Sequence, residues 1–505
     1  MLWIALHLPA LSLESFAATL GAARQALPLA LLQGHRVVAV NGVAAQQGVQ
    51  PGHKRATALA LAPQLCFGQA DAARDAQALR AVAHAALAFT PMVTLDTSAG
   101  LPCVLLEVQG SLRYFGGLAA LQRRLRAALA PLGFGSRLAS ALTPLGAALL
   151  ARWRSGFELG AQAQDPARLG ALLDAVPVEL LGPGQAHHEA LQAMGLHTLG
   201  ALRRLPRDGL ARRFGPALLQ ALDQARGDAP DPREPLCPPP VFDEGCELYE
   251  RTDSTAPLMH GAGLLLVRLL AWARARQGRV AGFTLVLRHE TRQRGDAQVP
   301  AQTELRLALA EASNDLVHLQ LLLRERLARQ VLPAPVRALR LHCDALQHGA
   351  PPHGELFPTA ASAQEGLTRL IERLQARLGP QQVLQPQPCE DHRPECDTQW
   401  QPVARPGRAR AGAAPLSPAP LLTRPVWLLP QPQPLPERQS RPLLDGRPLQ
   451  LLAGPERIES GWWDGAPAAR DYFIAQAHDG ALVWLYRARL PLVQQEGWFL
   501  HGRFG

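Results

Sequence analysis

Five arginines crowd one short stretch of this chain: Arg203, Arg204, Arg207, Arg212 and Arg213. They follow directly on Ala190-Leu-Gln-Ala-Met-Gly195-Leu-His-Thr198-Leu-Gly-Ala-Leu202, which reads as a helix, a glycine stop and a threonine-capped restart. A helix–hairpin–helix of this kind turns backbone N–H groups and a helix N-terminus toward one point, where a phosphate fits. Planar, multi-donor guanidinium groups suit the same ligand. Hairpin and basic cluster together predict contact with DNA; a solvated basic face on a helical packing module is the alternative. Cys389-x-x-His392-x-x-x-Cys396 offers three soft ligands in a proline-rich stretch with no matching second pair, so it is read as no zinc site. His187-His188 reads as helix surface.

The composition bounds the class of protein. At 505 residues the chain is long enough for three to five domains, and 47% apolar residues supply several cores. The net charge of +9 is compatible with a polyanionic partner. Lys54 is the only lysine, so arginine carries the positive charge, which a codon bias toward arginine also explains. Seven scattered cysteines suggest a reducing compartment without a disulfide framework, hence a cytoplasmic location. No run of 18 uncharged apolar residues predicts a membrane span, and no basic segment precedes the first apolar run as in a signal peptide.

Elements to position such residues are legible along the chain. In residues 1–164, apolar runs such as Leu2–Leu6, Val37–Val40 and Leu101–Val108 alternate with amphipathic helices such as Leu118–Leu129. This implies an α+β domain. Residues 165–230 are helical and carry the hairpin. A proline- and acid-rich tether, 231–246, precedes strand, helix, two strands, helix and strand across 247–350, a βαββαβ order with two helices on one sheet face. A short segment and helix (351–379) lead to a proline-rich stretch, 380–420, of linker composition. Residues 421–505 hold Trp462, Trp463, Trp484 and Trp498 and read as a β-rich terminal module.

Several motifs in this order resemble the Y-family, lesion-bypass DNA polymerases. They are Gly48-Val-x-x-Gly52 with Ala60 and Pro63, Leu95-Asp96-Thr97, Val108-Gln-Gly-Ser-Leu-Arg-Tyr-Phe-Gly-Gly117, Gly195-Leu-His-Thr-Leu-Gly200 and Arg213-Phe-Gly215. Late in the chain come Asp391-His-Arg-Pro-Glu395, Gly454-Pro-Glu-Arg457, Gly461-Trp-Trp-Asp464 and Arg470-Asp-Tyr472. Each is weak alone, and together they span nearly the whole length. The similarity is strongest to a catalytically silent branch of the family. It implies a right-hand architecture: palm and fingers in 1–164 (fingers about 31–75), helical thumb, and a little finger in 247–350.

The resemblance also implies what is missing. Polymerisation in the family rests on two divalent ions held by convergent carboxylates. The places of those acids fall on His7, Pro9 and the pair Asp96-Thr97, so Asp96 alone remains. The residues that grip the incoming nucleotide fall on Gly42 and Ala45, and the palm lysine on Pro144 beside Thr143. No metal and no cofactor is therefore expected. Little-finger arginines Arg251, Arg288 and Arg306 are candidates for phosphate contact, or else for a solvated sheet face. His353-Gly-Glu-Leu-Phe357 lies where relatives carry a sliding-clamp peptide, with Leu356 and Phe357 as the apolar anchor, although its leading glutamine is absent.

The expected function is a non-catalytic scaffold in damage-induced translesion synthesis and mutagenesis. Its expected partners are DNA, the sliding clamp, an error-prone replicative-type polymerase and a RecA-like accessory protein. An active error-prone polymerase, or a DNA-structure-binding repair factor without polymerase partner, are the alternatives.

Overall fold

The computed structural model describes residues 1–158, 165–290, 300–348, 360–403, 424–425, 427–489 and 497–504. They fall into two compact units, Met1–Glu365 and Gly366–Gly505.

Strand β1 (Trp3–His7) is buried along its whole length. A strand this apolar sits at the centre of a sheet covered on both faces. Next come β2 (Leu29–Gln33), β3 (Arg36–Val40) and β4 (Cys66–Gln69), which form a separate small sheet of order β3-β2-β4. Strands β5 (Val93–Asp96), β6 (Cys103–Glu107) and β7 (Arg137–Ala141) complete the first sheet in the order β5-β6-β1-β7, antiparallel throughout.

Alternation along these strands divides two cores, as the pleat requires. Ile4, Leu6, Val104, Leu106 and Leu138 face the helix Ala72–Ala86 and the helix Leu118–Leu129. Trp3, Ala5, Cys103, Leu105 and Ala139 face the helix Pro144–Trp153 and the helical region that follows. In that region Gly195 takes φ +72° between the helices His188–Ala193 and Leu199–Arg203, and Thr198 Oγ1 accepts from Ala201 N–H at 3.3 Å. The helix, glycine stop and capped restart are thus formed.

The βαββαβ order is present, but its first strand, β8 (Phe242–Thr252), opens well before Glu247. Residues 242–246 are therefore strand rather than tether: Phe242 and Cys246 alternate into the core, a pattern masked by the acids between them. Strands β9 (Gly278–His289), β10 (Gln302–Ser313) and β11 (Val336–Cys343) build the order β10-β9-β11-β8. A short β12 (Leu346–His348) adds to β9.

The helix Thr255–Ala275 is long and apolar enough to cross a membrane, yet 67% of its apolar window is buried within the protein. Its Leu265, Leu269 and Trp272 are fully enclosed, and Ala271 joins the core beneath β1 and β6.

In the second unit, the stretch expected to be linker contains a hairpin, β13 (Leu384–Pro388) with β14 (Thr398–Pro402). Its prolines 386, 388 and 402 all fall in alternate pairs, so the glutamine pairs Gln385–Gln401 and Gln387–Gln399 remain free to bond across the ladder. Composition alone reads as an extended tether because both strands are exposed and proline-rich.

The strands that follow are β15 (Trp427–Leu435), β16 (Glu437–Arg438), β17 (Arg441–Leu444), β18 (Arg447–Pro448), β19 (Gln450–Ser460), β20 (Ala468–Gln476), β21 (Leu482–Ala488) and β22 (Trp498–Arg503). The main sheet has the order β15-β22-β21-β20-β19. Trp498, Leu500 and Leu485 pack on one face, and Tyr472, Trp484 and Phe499 on the other.

Candidate functional site

Asp96 closes β5 opposite Cys103 of β6, and Cys103 stands opposite His7 of β1, which in turn pairs with Arg137 of β7. Residues directly opposite in antiparallel strands share a face, so these four side chains form one row across the sheet. That row lies on the face covered by the helix Pro144–Trp153.

Asp96 is enclosed and held at both oxygens. Arg152, near the end of that helix, donates from Nη2 to Asp96 Oδ1 at 3.0 Å, and Arg233 donates from Nη1 to Oδ2 at 3.4 Å. Ser98 N–H also donates to Oδ1, at 2.9 Å. Arg152 is fixed in turn by Leu101 O at 2.7 Å and Ser98 Oγ at 3.0 Å, and Arg233 by both oxygens of Asp231 at 2.8 Å. Burial pushes the Asp96 carboxyl upward, but the Arg152 charge and the Ser98 hydrogen bonds outweigh it and hold it below the ordinary value.

The rest of the row offers a cation no negative charge, and Arg137 would repel it. His7 donates from Nδ1 to Pro102 O at 3.1 Å, and burial lowers its pKa to about 4, leaving a neutral ring at pH 7. Burial raises Cys103 to about 12. Pro9 and Thr97 are exposed beside the row. The donor set does not fit a two-magnesium site, which needs several free carboxylates. Among the described residues, no three His, Cys, Asp or Glu side chains converge in a metal-binding group.

The positions matched to nucleotide binding serve local structure. Gly42 and Ala45 lie exposed on the short helix Gly42–Gln46, which Asn41 caps by accepting from Ala44 N–H at 2.9 Å. Thr143 caps the helix that opens with Pro144, accepting from Gly146 N–H at 3.1 Å, and donates to Ala225 O at 2.6 Å.

The hairpin arginines divide into two groups. Arg203 is bound by both oxygens of Asp174, at 3.1 and 2.8 Å, and Arg207 meets Asp223 at 2.9 Å. Arg204, Arg212 and Arg213 form no ion pair among the described residues, and Arg213 stacks 5.7 Å from the ring centre of Phe214. In the sheet of order β10-β9-β11-β8, Arg251 pairs with Glu290 at 2.6 Å and Arg306 with Glu304 at 3.3 Å. Arg288 lines a cavity of about 630 Å³ together with Arg74, Arg268 and Arg340, but also with Asp71, Asp243 and Glu247. That mixed lining is a poor trough for a polyanion.

The second unit gathers motifs that lie far apart in sequence. Arg393 donates to Asp391 at 2.7 Å, to Asp464 Oδ1 at 3.2 Å and to Ala466 O at 2.9 Å. Glu395 meets Arg470 at 2.8 Å, and Arg470 donates to the Tyr472 hydroxyl at 3.0 Å. Its hydrogen bonds with Arg393 hold the Asp391 carboxyl down at about 2. This bracing fixes the loop between β19 and β20. There Gly461 takes φ +79°, and a Cβ in its place would collide with Ala466 O and the Arg393 guanidinium. Trp462 and Trp463 stand on this loop 79% and 55% exposed.

Leu356 and Phe357 lie outside the described residues. Sequence reading missed Arg152, Arg233 and Asp231. The one usable signal was a lone arginine near the end of an otherwise apolar helix, Pro-Leu-Gly-Ala-Ala-Leu-Leu-Ala-Arg-Trp.

No family model matches the chain. Protein ImuB of Caulobacter vibrioides (strain NA1000 / CB15N) is 31% identical over 475 residues, covering 91% of this chain and 100% of that protein. ImuB of the strain ATCC 19089 / CIP 103742 / CB 15 gives the same figures. Among solved structures, a Dbh ternary complex is similar at 15% identity, over 68% of this chain and 99% of that one, with a TM-score of 0.38. DinB from Sulfolobus solfataricus is similar at 16% identity, over 69% and 100%, also with a TM-score of 0.38.

Proposed function

The chain belongs to the ImuB family, and on that premise we propose that it is a non-catalytic relative of the Y-family polymerases, acting as a scaffold in damage-induced translesion synthesis. The observation that carries this reading is the state of Asp96. Both of its oxygens already hold guanidinium groups, from Arg152 and Arg233. A magnesium ion would have to displace two ion pairs to reach one carboxylate, and the neutral imidazole of His7 is a poor ligand for so hard a cation.

The scaffold holds DNA through the hairpin, where Arg204, Arg212 and Arg213 are available for phosphates. It engages the sliding clamp through Leu356 and Phe357, a reading that rests on the sequence alone. The error-prone replicative-type polymerase or the RecA-like accessory protein docks on the second unit, and the exposed Trp462-Trp463 loop supports that assignment.

Primer extension with magnesium or manganese is the direct test. Purified protein is expected to add no nucleotide. Extension above background that disappears in the near-isosteric Asp96→Asn variant would overturn the non-catalytic reading. For the clamp, Leu356→Ala with Phe357→Ala is expected to weaken association by about 2 kcal/mol or more, as for a central anchor pair, with DNA binding unchanged. Clamp co-elution that survives the double change would move the contact elsewhere.

A further inference from the structure

The helix Ala360–Leu378 wears its amphipathic pattern inside out. Leu367, Leu370, Leu374 and Leu378 are 49%, 48%, 37% and 49% exposed, while Thr368, Glu372 and Ala376 are buried. Gln375 also turns inward, donating from Nε2 to Val403 O at 2.9 Å. The leucine spacing of i, i+3, i+7 and i+11 places all four on one stripe, the seam geometry of a helix pair. A stripe of this kind left in water forfeits the burial that leucine ordinarily contributes.

Charge specifies what covers it. At 100° per residue, Arg373 and Arg377 flank the stripe on one side, both exposed and without an ion pair among the described residues. The other side carries Ile371 and Gln375. A second copy of this chain is a poor occupant. Packed antiparallel, it would set arginine flank against arginine flank; packed parallel, it would set the arginines against Ile371 and Gln375. Neither arrangement supplies a carboxylate. Residues 404–423 of the same chain carry Arg405, Arg408 and Arg410 and no acid, so they do not supply one either.

We propose that this face is a docking site for an amphipathic helix of a partner protein, one presenting a leucine- or isoleucine-rich stripe edged by glutamate or aspartate. Flanking charges of this kind choose partner and orientation, while the apolar seam gives the affinity. The site shares no residue with the hairpin arginines or with the tryptophan loop, so its test is independent of theirs.

The probe is a fluorescein-labelled peptide with leucine at every a and d heptad position and glutamate at every e and g position. The same peptide with lysine at e and g is the control. Anisotropy titrations of the full-length chain are expected to saturate with the glutamate peptide and to be weaker by roughly tenfold or more with the lysine peptide. Leu370→Ser with Leu374→Ser should abolish saturation, with circular dichroism unchanged because both residues are exposed. Arg373→Glu with Arg377→Glu keeps the leucines and should reverse the peptide preference, which separates recognition from any loss of folding. Failure to bind either peptide, equal affinity for both, or binding indifferent to the serine pair would overturn the proposal. So would a dimer seen by light scattering that the serine pair dissolves, which would assign the face to self-association.

Discussion

Asp96 and Arg152, 56 residues apart in the chain, meet at 3.0 Å with both side chains closed off from solvent. Asp96 ends β5, the edge strand of its sheet. Here the helix Pro144–Trp153 delivers a guanidinium to it, and Arg233 arrives from the segment before β8. The pocket of charge is filled from within the protein.

Removing Arg152 should therefore cost far more than a surface ion pair. Arg152→Met leaves a buried carboxylate with one weaker partner and strips Leu101 O and Ser98 Oγ of their donor. The expected loss is about 3–5 kcal/mol, read from chemical denaturation and from faster hydrogen exchange in β5 and β6. The folded Asp96 is held below its ordinary pKa, so its contribution is present above the unfolded value and fades as pH falls through the folded one. The gap between wild type and variant should narrow below about pH 4. A gap unchanged down to pH 2 would show that Asp96 is not the titrating group.

His84 gives a second pH effect of the same sign. It is buried in the helix Ala72–Ala86, neither ring nitrogen has a hydrogen-bond partner among the described residues, and burial lowers its pKa to about 4. Between about pH 6.5 and 4 the unfolded chain takes up protons at His84 and His7 while the folded chain does not, so stability falls as the solution is acidified. His84→Leu, of similar volume and without a polar ring to leave unsatisfied, should stabilise the protein by about 1 kcal/mol or more at pH 7. It should also flatten part of the acid slope. Denaturation midpoints across that range are the measurement, and a destabilised leucine variant would show that the imidazole fits its site better than an aliphatic chain.

Ion pairing sorts the hairpin arginines by their availability to a phosphate. Arg212→Ala with Arg213→Ala should weaken duplex binding and lower the slope of log affinity against log salt by about 2, one unit for each phosphate no longer neutralised. Arg203→Ala and Arg207→Ala should change that slope little, because Asp174 and Asp223 already hold those groups. Titrations at several salt concentrations decide the matter. A slope lowered by about one unit in either single variant would show that its internal pair opens on binding.

The tryptophan loop separates anchor from support. Trp462→Ala with Trp463→Ala removes exposed rings only, so the second unit should keep its melting behaviour while losing about 2 kcal/mol or more of partner affinity. Arg393→Met should lose partner binding and loosen the loop together, since Asp391, Asp464 and Ala466 O lose their common donor. Co-purification of the two proposed partners, the polymerase and the RecA-like protein, with full-length variants is the readout. Undiminished recovery of both by the tryptophan variant would reject the loop as the docking point.

Periodicity made the first strand, the hairpin helices and the βαββαβ order legible, because an apolar pattern of period two or 3.6 is local and survives without its partners. That positions 7, 9 and 97 hold His7, Pro9 and Thr97 rather than carboxylates was equally plain, since that is a matter of residue type. The strand Phe242–Thr252 was cut short and the proline-rich hairpin went unseen. Acids and prolines obscure a strand whose pairing lies in residues elsewhere. Where Arg152 and Arg233 point could not be read at all, nor that Arg203 and Arg207 are ion-paired while Arg204, Arg212 and Arg213 form no ion pair among the described residues. Residue types tell which chemical groups the site has, whereas packing settles which of them remain free. An ion pair between residues tens of positions apart depends on how helices and sheets stack, and no local pattern encodes that.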